Sequence, residues 1–112
     1  MANNDENRII LNKEGDEVRI DYDDLRSAVL VLRAINHTLR KRMLALLEEN
    51  GEMTVTDIFV ALRIEQSIAS QHLSVLRKAN IVDTRRDGKF IYYSVNSDRV
   101  AYLADVIKTL SI

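Results

Sequence analysis

The chain has 112 residues and a formal net charge of −1; 46% of the residues are hydrophobic, 29% are charged and none is cysteine. This length favours one domain with a single core, and the composition is that of a soluble globular protein. The lack of cysteine excludes disulfides, thiolate metal sites and thiol redox sensing. No apolar run approaches the roughly 20 residues that span a bilayer, and Met1–Glu6 is polar rather than a secretion signal, so a cytoplasmic location is expected.

Charge is distributed unevenly along the chain. Residues 1–26 hold eight acidic and four basic residues, whereas residues 63–89 hold six basic and three acidic ones. A nucleic-acid-binding protein needs positive charge on one surface rather than in its total. Residues 63–89 are therefore the candidates for contact with phosphates, and the acidic N-terminal part is expected to lie away from them.

The N-terminal part is predicted to differ from the rest of the chain. Residues 1–22 are expected to form a flexible or extended arm, followed by one domain over residues 23–112. Residues 1–7 are polar and are predicted to be disordered. Arg8–Leu11 and Val18–Tyr22 are β-prone runs, which would form either a small hairpin or an extended arm.

Four helices are predicted after the arm. Helical periodicity begins near Asp24, with apolar residues at i, i+3, i+4 and i+7. A second helix is predicted from about Thr38 to Asn50. A third follows the capping sequence Thr54–Asp57 and ends near Arg63. A fourth is predicted from about Ser67 to Ala79.

A β-ribbon and a last helix complete the pattern. The β-prone runs Ile81–Arg86 and Lys89–Val95 are joined by Asp87-Gly88, a pair that favours a type I′ turn. Ser97-Asp98 is expected to cap a fifth helix that is apolar over a broad arc. This order predicts a winged helix-turn-helix of α+β class, mainly α with a small β-hairpin, with about five helices plus a two-stranded wing.

The polar face of the fourth helix carries Ser and Gln rather than the Glu and Lys of an ordinary solvated face. Gln pairs bidentately with adenine, and Ser bonds bases or phosphates. A merely soluble face is the alternative interpretation. The predicted DNA-contacting residues are Gln66, Ser67, Ser70, Gln71, His72, Ser74, Arg77, Lys78, Arg85, Arg86, Lys89 and Arg40.

Several of these residues have a second interpretation. Ser67 would serve as an N-cap, and His72 would either pack within the helix-turn-helix or donate to a phosphate. Strand alternation sends Arg85 and Arg86 to opposite faces, so only one is expected to reach the minor groove. Arg40 lies in the first turn of the second helix and would contact the DNA backbone or belong to a solvated charge cluster.

The broad apolar arc of the fifth helix and the apolar stripe of the first are predicted to meet a second copy of the chain. Two recognition helices in such a dimer would lie one DNA turn apart, roughly 34–36 Å. The predicted interface residues are Leu25, Val29, Leu32, Val100, Leu103, Ala104, Ile107 and Leu110.

The stretch Leu32–Asn96 resembles the ArsR/SmtB family of bacterial winged-helix repressors. The resemblance rests on Leu32–Ile35, Arg40–Leu47, Gln66–Leu73, Val75–Val82 and the wing Arg85–Tyr93, in the family's order and spacing. It implies a homodimer built on the first and last helices, operators with dyad symmetry, and repression that an effector relieves.

The chain departs from the metal-sensing members of that family. Thr54 and Thr56 stand where those members carry a cysteine pair, and Val100 stands at the first histidine position of the last helix. His37 and His72, the only two histidines, are placed on different helices and suggest no chelate. No metal and no cofactor are therefore expected. A small-molecule effector, a protein effector and no effector all remain open.

Three classes of function compete. A homodimeric, sequence-specific repressor that binds double-stranded DNA accounts for the wing, the charge distribution and the Ser/Gln face together. The alternative is a winged-helix protein–protein interaction module without specific DNA binding, which the net negative charge favours slightly. An enzyme is not expected, because the sequence offers no cysteine nucleophile, Gly-rich phosphate loop or His beside a Ser or Asp partner.

Overall fold

The computed structural model describes residues 7–112. The chain forms two compact units, a first that ends at Arg33 and a second over Ala34–Ile112. Among the described residues, no helix is long and apolar enough to cross a membrane. The predicted disorder of residues 1–7 falls, apart from Asn7, outside the described residues.

The first unit contains an antiparallel hairpin of β1 (Arg8–Lys13) and β2 (Asp16–Asp21). Glu14 and Gly15 form its two-residue turn with φ of 53° and 88°. Two successive left-handed residues are what a type I′ turn requires, and glycine adopts this conformation without steric cost. Of the two alternatives for this segment, the structure has the hairpin.

Helix α1 (Tyr22–Ile35) begins directly after β2. Asp23 and Asp24 lie in its first turn, where carboxylates interact favourably with the positive end of the helix dipole. Leu25 and Val29 are exposed to solvent. The helix is therefore amphipathic, with apolar side chains that its own unit leaves accessible.

Helix α2 (Thr38–Asn50) has the predicted bounds. His37 is its N-cap, because the His37 Nδ1 atom accepts a hydrogen bond of 3.2 Å from the backbone N–H of Leu39. The helix ends at Gly51, whose φ of 83° is readily available to glycine alone. The predicted glycine stop is confirmed.

Helix α3 (Val55–Leu62) is held at its start by a capping box. The N–H of Asp57 donates to the Thr54 hydroxyl over 3.2 Å, and the N–H of Thr54 donates to the Asp57 carboxylate over 3.1 Å. Arg63 ends the helix in the left-handed conformation. The predicted caps and the predicted end are both confirmed.

Helix α4 (Gln66–Lys78) follows α3 after a short turn and completes the helix-turn-helix. Glu65 occupies the N-cap position, so Ser67 lies within the first turn and is not the cap. Ala69, Leu73 and Leu76 are buried. They anchor one side of α4 in the core, which leaves its Ser/Gln side exposed.

The wing is a three-stranded antiparallel sheet in the order β3–β5–β4, formed by β3 (Met53–Thr54), β4 (Val82–Asp87) and β5 (Phe90–Val95). The predicted two-stranded ribbon is present, and β3 adds a short third strand that was not predicted. Thr54 both ends β3 and caps α3, so the sheet connects the start of that helix to the β4–β5 hairpin.

The turn of the wing lies one residue later than predicted. Asp87 pairs with Phe90, so the two turn residues are Gly88 and Lys89 rather than Asp87 and Gly88. Gly88 has a φ of 60°, and Lys89 is not among the residues of 7–112 with positive φ. Glycine at the first turn position alone indicates type II′ rather than the predicted type I′.

Helix α5 (Ser97–Leu110) is capped by Asn96, whose side-chain oxygen accepts from the N–H of Arg99 over 3.1 Å. The predicted cap at Ser97-Asp98 was thus wrong by one residue, because asparagine is as good a cap as serine. The core of the second unit joins α2, α3, α4 and the wing. Its fully buried large side chains are Met43, Leu47, Ile58, Leu73, Leu76, Ile81 and Val82.

The fold class predicted from the sequence is confirmed: an α+β winged helix-turn-helix with five helices among residues 7–112.

Candidate nucleic-acid interface

Helix α4 presents a polar face to solvent, opposite the buried Ala69, Leu73 and Leu76. The face is formed by predicted DNA-contacting residues, all of them exposed: Gln66, Ser67, Ser70, Gln71, Ser74, Arg77 and Lys78. Its charge is confined to the last turn of the helix. The first three turns offer hydroxyl and amide groups, which suit the edges of bases in a major groove.

Two apolar side chains that are not among the predicted contact residues border this face. Ile68 and Val75 are 37% and 38% exposed. Val75 lies one turn after Gln71, so the two share a side of the helix. An exposed aliphatic residue beside a glutamine can contact a thymine methyl group. The sequence could have indicated these two residues, because helical winding places both apolar side chains beside the polar side of α4.

His72 is not on the open part of the face. Its Nδ1 atom lies 3.1 Å from Nη1 of Arg40, and its ring centroid lies 4.7 Å from that of His37. Because a guanidinium only donates, Nδ1 of His72 accepts and the proton of the neutral ring is assigned to Nε2. His72 thus links α4 to the start of α2.

The contacts of Arg40 include a backbone carbonyl and His72. Its Nε atom donates to the backbone carbonyl of Ala34 over 2.6 Å, while Nη1 faces His72. The side chain is half-buried, unlike the other predicted contact residues apart from His72. Arg40 and His72 therefore form a bridge inside the second unit, and the guanidinium is held in a fixed place near the N-terminus of α2.

The electrostatic setting of His72 disfavours its charged form. Burial lowers the pKa of His72 below its ordinary value, and the neighbouring His37 and the positive Arg40 lower it further. The ring is therefore neutral at pH 7 and accepts the Arg40 hydrogen bond. Protonation would place a positive imidazolium against the guanidinium.

The two histidines are in ring contact, which was not predicted from the sequence. His37 caps α2 from outside the helix, so only His72 lies on a helix. Among residues 7–112, no three His, Asp or Glu side chains come together as a metal-binding group. The hydroxyl of Thr54, at a position where metal sensors carry cysteine, is engaged as the α3 cap.

The two arginines of the wing have different surroundings. Nε and Nη2 of Arg85 donate to the two carboxylate oxygens of Glu52 over 3.0 and 3.1 Å. The guanidinium also lies 4.7 Å from the ring centroid of Tyr92, its cross-strand partner. The hydrogen bonds from Arg85 lower the pKa of Glu52, and those same bonds raise the pKa of Arg85.

Arg86 lies on the other side of the wing. It is opposite Ile91 in the register, so its side chain alternates away from Arg85, as the strand pattern predicted. Arg86 is exposed. Lys89 is in the turn itself, with Nζ 5.5 Å from the ring centroid of Phe90. The wing therefore presents Arg86 and Lys89 to solvent, while Arg85 is paired with Glu52.

The residues predicted for the dimer interface divide into two sets. Leu103 is only 7% exposed and packs in the core of its own chain. The others are partly or fully accessible: Leu25, Val29, Leu32, Val100, Ala104, Ile107 and Leu110. On α5, Val100, Ala104 and Ile107 share one side of the helix by their spacing.

An open groove of about 470 Å³ lies beside this side of α5. Leu44 and Ala45 of α2 form one wall, and Val100 and Ala104 of α5 form the other. The lining is largely apolar. The groove belongs to the second unit alone and continues the exposed side of α5.

A helix-turn-helix with an exposed recognition face, followed by a β-wing, defines the winged helix-turn-helix class of protein. Residues 37–84 match the family model described as "Bacterial regulatory protein, arsR family". The chain is 39% identical over 67 residues to the transcriptional repressor SdpR of Bacillus subtilis (strain 168), which covers 60% of this chain and 73% of that protein.

Two further comparisons agree. A biofilm growth-associated repressor of Agrobacterium fabrum is 40% identical over 78 residues, 70% of this chain and 66% of that protein. The homodimeric winged helix-turn-helix DNA-binding domain of a possible ArsR-family regulator from Mycobacterium bovis superposes with a TM-score of 0.65 at 28% identity, covering 79% of this chain and 81% of that one. The chain belongs to the ArsR family of bacterial transcription regulators, which confirms the resemblance seen in the sequence.

Proposed function

We propose that this chain is a homodimeric repressor that binds a dyad-symmetric DNA operator. The observation that carries the proposal is the exposed Ser/Gln face of α4, held in place by three buried residues on the opposite side. In a winged helix-turn-helix such a helix enters the major groove. The two curated relatives described above are both named repressors, which supports repression as the direction of regulation.

Base readout is assigned to the open turns of α4. Gln71 reads adenine through its amide, and Ser67, Ser70 and Ser74 bond base edges or phosphates. Gln66, in the first turn, is assigned to the same groove. Each bidentate contact of this kind discriminates against a wrong base by about 1–3 kcal/mol.

Phosphate contacts are assigned to the basic residues at the edges of that face. Arg77 and Lys78 close α4, and Lys89 lies in the wing turn. Arg86 is the wing arginine assigned to the minor groove, because Glu52 neutralises Arg85. Arg40, positioned at the start of α2 by Ala34 and His72, is assigned to the DNA backbone on account of its place and its positive charge.

The dimer is assigned to α1 and α5. Leu25, Val29 and Leu32 of α1 and the Val100, Ala104 and Ile107 side of α5 supply accessible apolar surface, and Leu110 extends it. Leu103 supports the interface from within its own core. The homodimeric Mycobacterium bovis domain of similar fold supports self-association. Each protomer then reads one half-site of the operator.

The test is selection from a randomised duplex pool, followed by fluorescence anisotropy on the selected and a scrambled duplex at several salt concentrations. A dyad-symmetric consensus, a preference of at least about 10³-fold and a steep salt slope are expected. A pool without enrichment, together with weak binding that ignores sequence, would contradict the proposal. That result would favour a winged-helix protein-interaction module.

A further inference from the structure

The N-terminal hairpin is amphipathic. Residues directly opposite each other in an antiparallel ladder lie on the same face, so Ile9 pairs with Ile20 and Leu11 with Val18 on one face. These four side chains are 39%, 44%, 59% and 42% exposed, respectively. We name them the hairpin apolar face. A contiguous apolar surface of this kind marks an interaction site in a soluble protein.

The other face of the hairpin is mostly polar, with Ile10 as its apolar residue. Arg8 lies 4.0 Å from Asp21, and Arg19 lies 2.7 Å from Glu17. A two-stranded hairpin alone is marginally stable in water and needs a covered apolar face. The polar face is suited to solvent, and the hairpin apolar face is the one that requires a partner.

We propose that the hairpin apolar face packs against a second copy of the chain and extends the dimer interface beyond α1 and α5. This inference rests on the homodimer proposed above. The hairpin lies outside residues 37–84, the part that matches the family model, so the extension is a feature of this chain beyond the family core.

The direct connection between the hairpin and α1 favours a second copy of the chain as the partner of the hairpin apolar face. Strand β2 ends at Asp21 and α1 begins at Tyr22, so no linker separates the hairpin from the exposed Leu25 and Val29 within the first unit. A two-fold axis beside α1 brings the same patch of both copies together. Because the hairpin is joined directly to α1, a two-fold axis beside α1 also lies close to the hairpin.

The charged residues at the tip of the hairpin also favour a second copy of the chain as the partner. Lys13 lies opposite Asp16 at the tip, on the side of the hairpin that carries the apolar face. A symmetric contact can therefore pair the lysine of one copy with the aspartate of the other. Residues 1–26 hold an excess of acidic side chains, which disfavours the DNA backbone as the occupant.

Because the chain has no cysteine, a single introduced thiol reports on one position in the full-length protein. Leu11→Cys places it on the hairpin apolar face, and Ile10→Cys is the matched control on the polar face of the same strand. Leu11 is 59% exposed in one protomer and Ile10 is 39% exposed. Labelling with a bulky maleimide is measured above and below the concentration at which sedimentation shows the dimer dissociating.

The labelling rate of Leu11→Cys is expected to be lower in the dimer than in the monomer by about tenfold or more. This factor corresponds to the burial of one apolar side chain in the interface. Ile10→Cys is expected to label at the same rate in both states. Equal rates for Leu11→Cys in a protein that sedimentation shows to be dimeric would overturn this inference and leave the homodimer intact. Protection that persists in the monomer would also overturn it, since the face would then be covered by its own chain.

A substitution gives an independent readout. Leu11→Glu is expected to raise the dimer dissociation constant about tenfold or more, whereas Ile10→Glu is expected to change it less than about threefold. Equal effects of the two substitutions would overturn the inference. A wild-type chain that stays monomeric at every concentration would overturn the homodimer itself, and the inference with it.

Discussion

Arg85 and Arg86 are neighbours in the chain, yet they have different electrostatic surroundings. Glu52 binds Arg85 through both carboxylate oxygens, and Tyr92 lies under the guanidinium. Arg86 points to the other face of β4 and is exposed. The Glu52–Arg85 pair therefore links the residue before β3 to β4 and offsets one positive charge of the proposed DNA-contacting surface.

Glu52→Gln should raise affinity for random duplex, because Arg85 then adds its charge to the wing. The logarithm of the binding constant should fall more steeply with the logarithm of salt concentration, by about one unit of slope. Anisotropy titrations at several salt concentrations measure both quantities. Glu49→Gln removes the same charge from the exposed end of α2 and is the control. A change no larger than that of the control would contradict this account of Glu52.

His72 should make the stability of the protein depend on pH. Its pKa is lower in the folded chain than the unfolded value of about 6.5, chiefly because of burial. Its contribution is thus complete above about pH 6.5 and is lost as the pH falls through the folded pKa. The free energy of unfolding, measured in urea, should differ less between pH 7.5 and pH 5.5 for His72→Gln than for the wild-type protein. Glutamine keeps an acceptor for Arg40. The same pH dependence in both proteins would contradict this account.

At the scale of elements, the short helix α3 depends on its cap. Thr54 and Asp57 exchange hydrogen bonds, and Thr54 also belongs to β3. An eight-residue helix has little stability of its own, so the capping box and packing against α4 define it. The position of α4, which packs against α3, therefore depends in part on the hydroxyl cap that Thr54 provides.

Thr54→Ala should lower the free energy of unfolding by about 1 kcal/mol, because it removes the acceptor for the Asp57 N–H. Thr54→Ser keeps the hydroxyl and should lose less. Thr56→Ala, at an exposed position two residues on, is the control. Urea denaturation of the three variants measures the differences. Equal losses for Thr54→Ala and Thr56→Ala would show that the capping box does not hold α3.

The elements were predictable from local sequence to different degrees. The bounds of α2 were predicted because apolar periodicity and Gly51 define them within one segment. Strand β3 has two residues, too few for any alternation to appear. The wing turn was displaced by one residue because Asp87-Gly88 and Gly88-Lys89 both contain a glycine suited to a primed turn.

The contacts that build the candidate site were less predictable, because they join distant parts of the chain. Arg40 and His72 are 32 residues apart, and Glu52 and Arg85 are 33 apart. No local pattern marks such pairs. By contrast, the exposed face of α4 follows from a single helix winding, so its members could be listed from the sequence. Leu103 was predicted to lie in the dimer interface but is buried in its own chain. The apolar arc of a helix does not show whether a residue on it packs in its own core or against a partner chain.

At the scale of the whole molecule, the proposed regulator requires two copies, since one protomer reads one half-site. Ile107→Glu should produce monomers that bind the operator weakly, because it places a charge on the exposed apolar side of α5. Tyr102→Glu, on another side of α5 and more exposed, should remain dimeric and is the control. Sedimentation equilibrium separates the two. An Ile107→Glu protein that stays dimeric would move the interface away from this side of α5.

The most direct test of DNA reading by α4 compares Gln71→Ala with Arg86→Ala on the selected operator and on random duplex. Gln71→Ala should lose about 1–3 kcal/mol of binding free energy on the operator and almost nothing on random DNA, because it removes a base contact. Arg86→Ala should weaken both about equally and flatten the salt slope. Equal losses on both duplexes for Gln71→Ala would contradict the assignment of α4 as the reading helix.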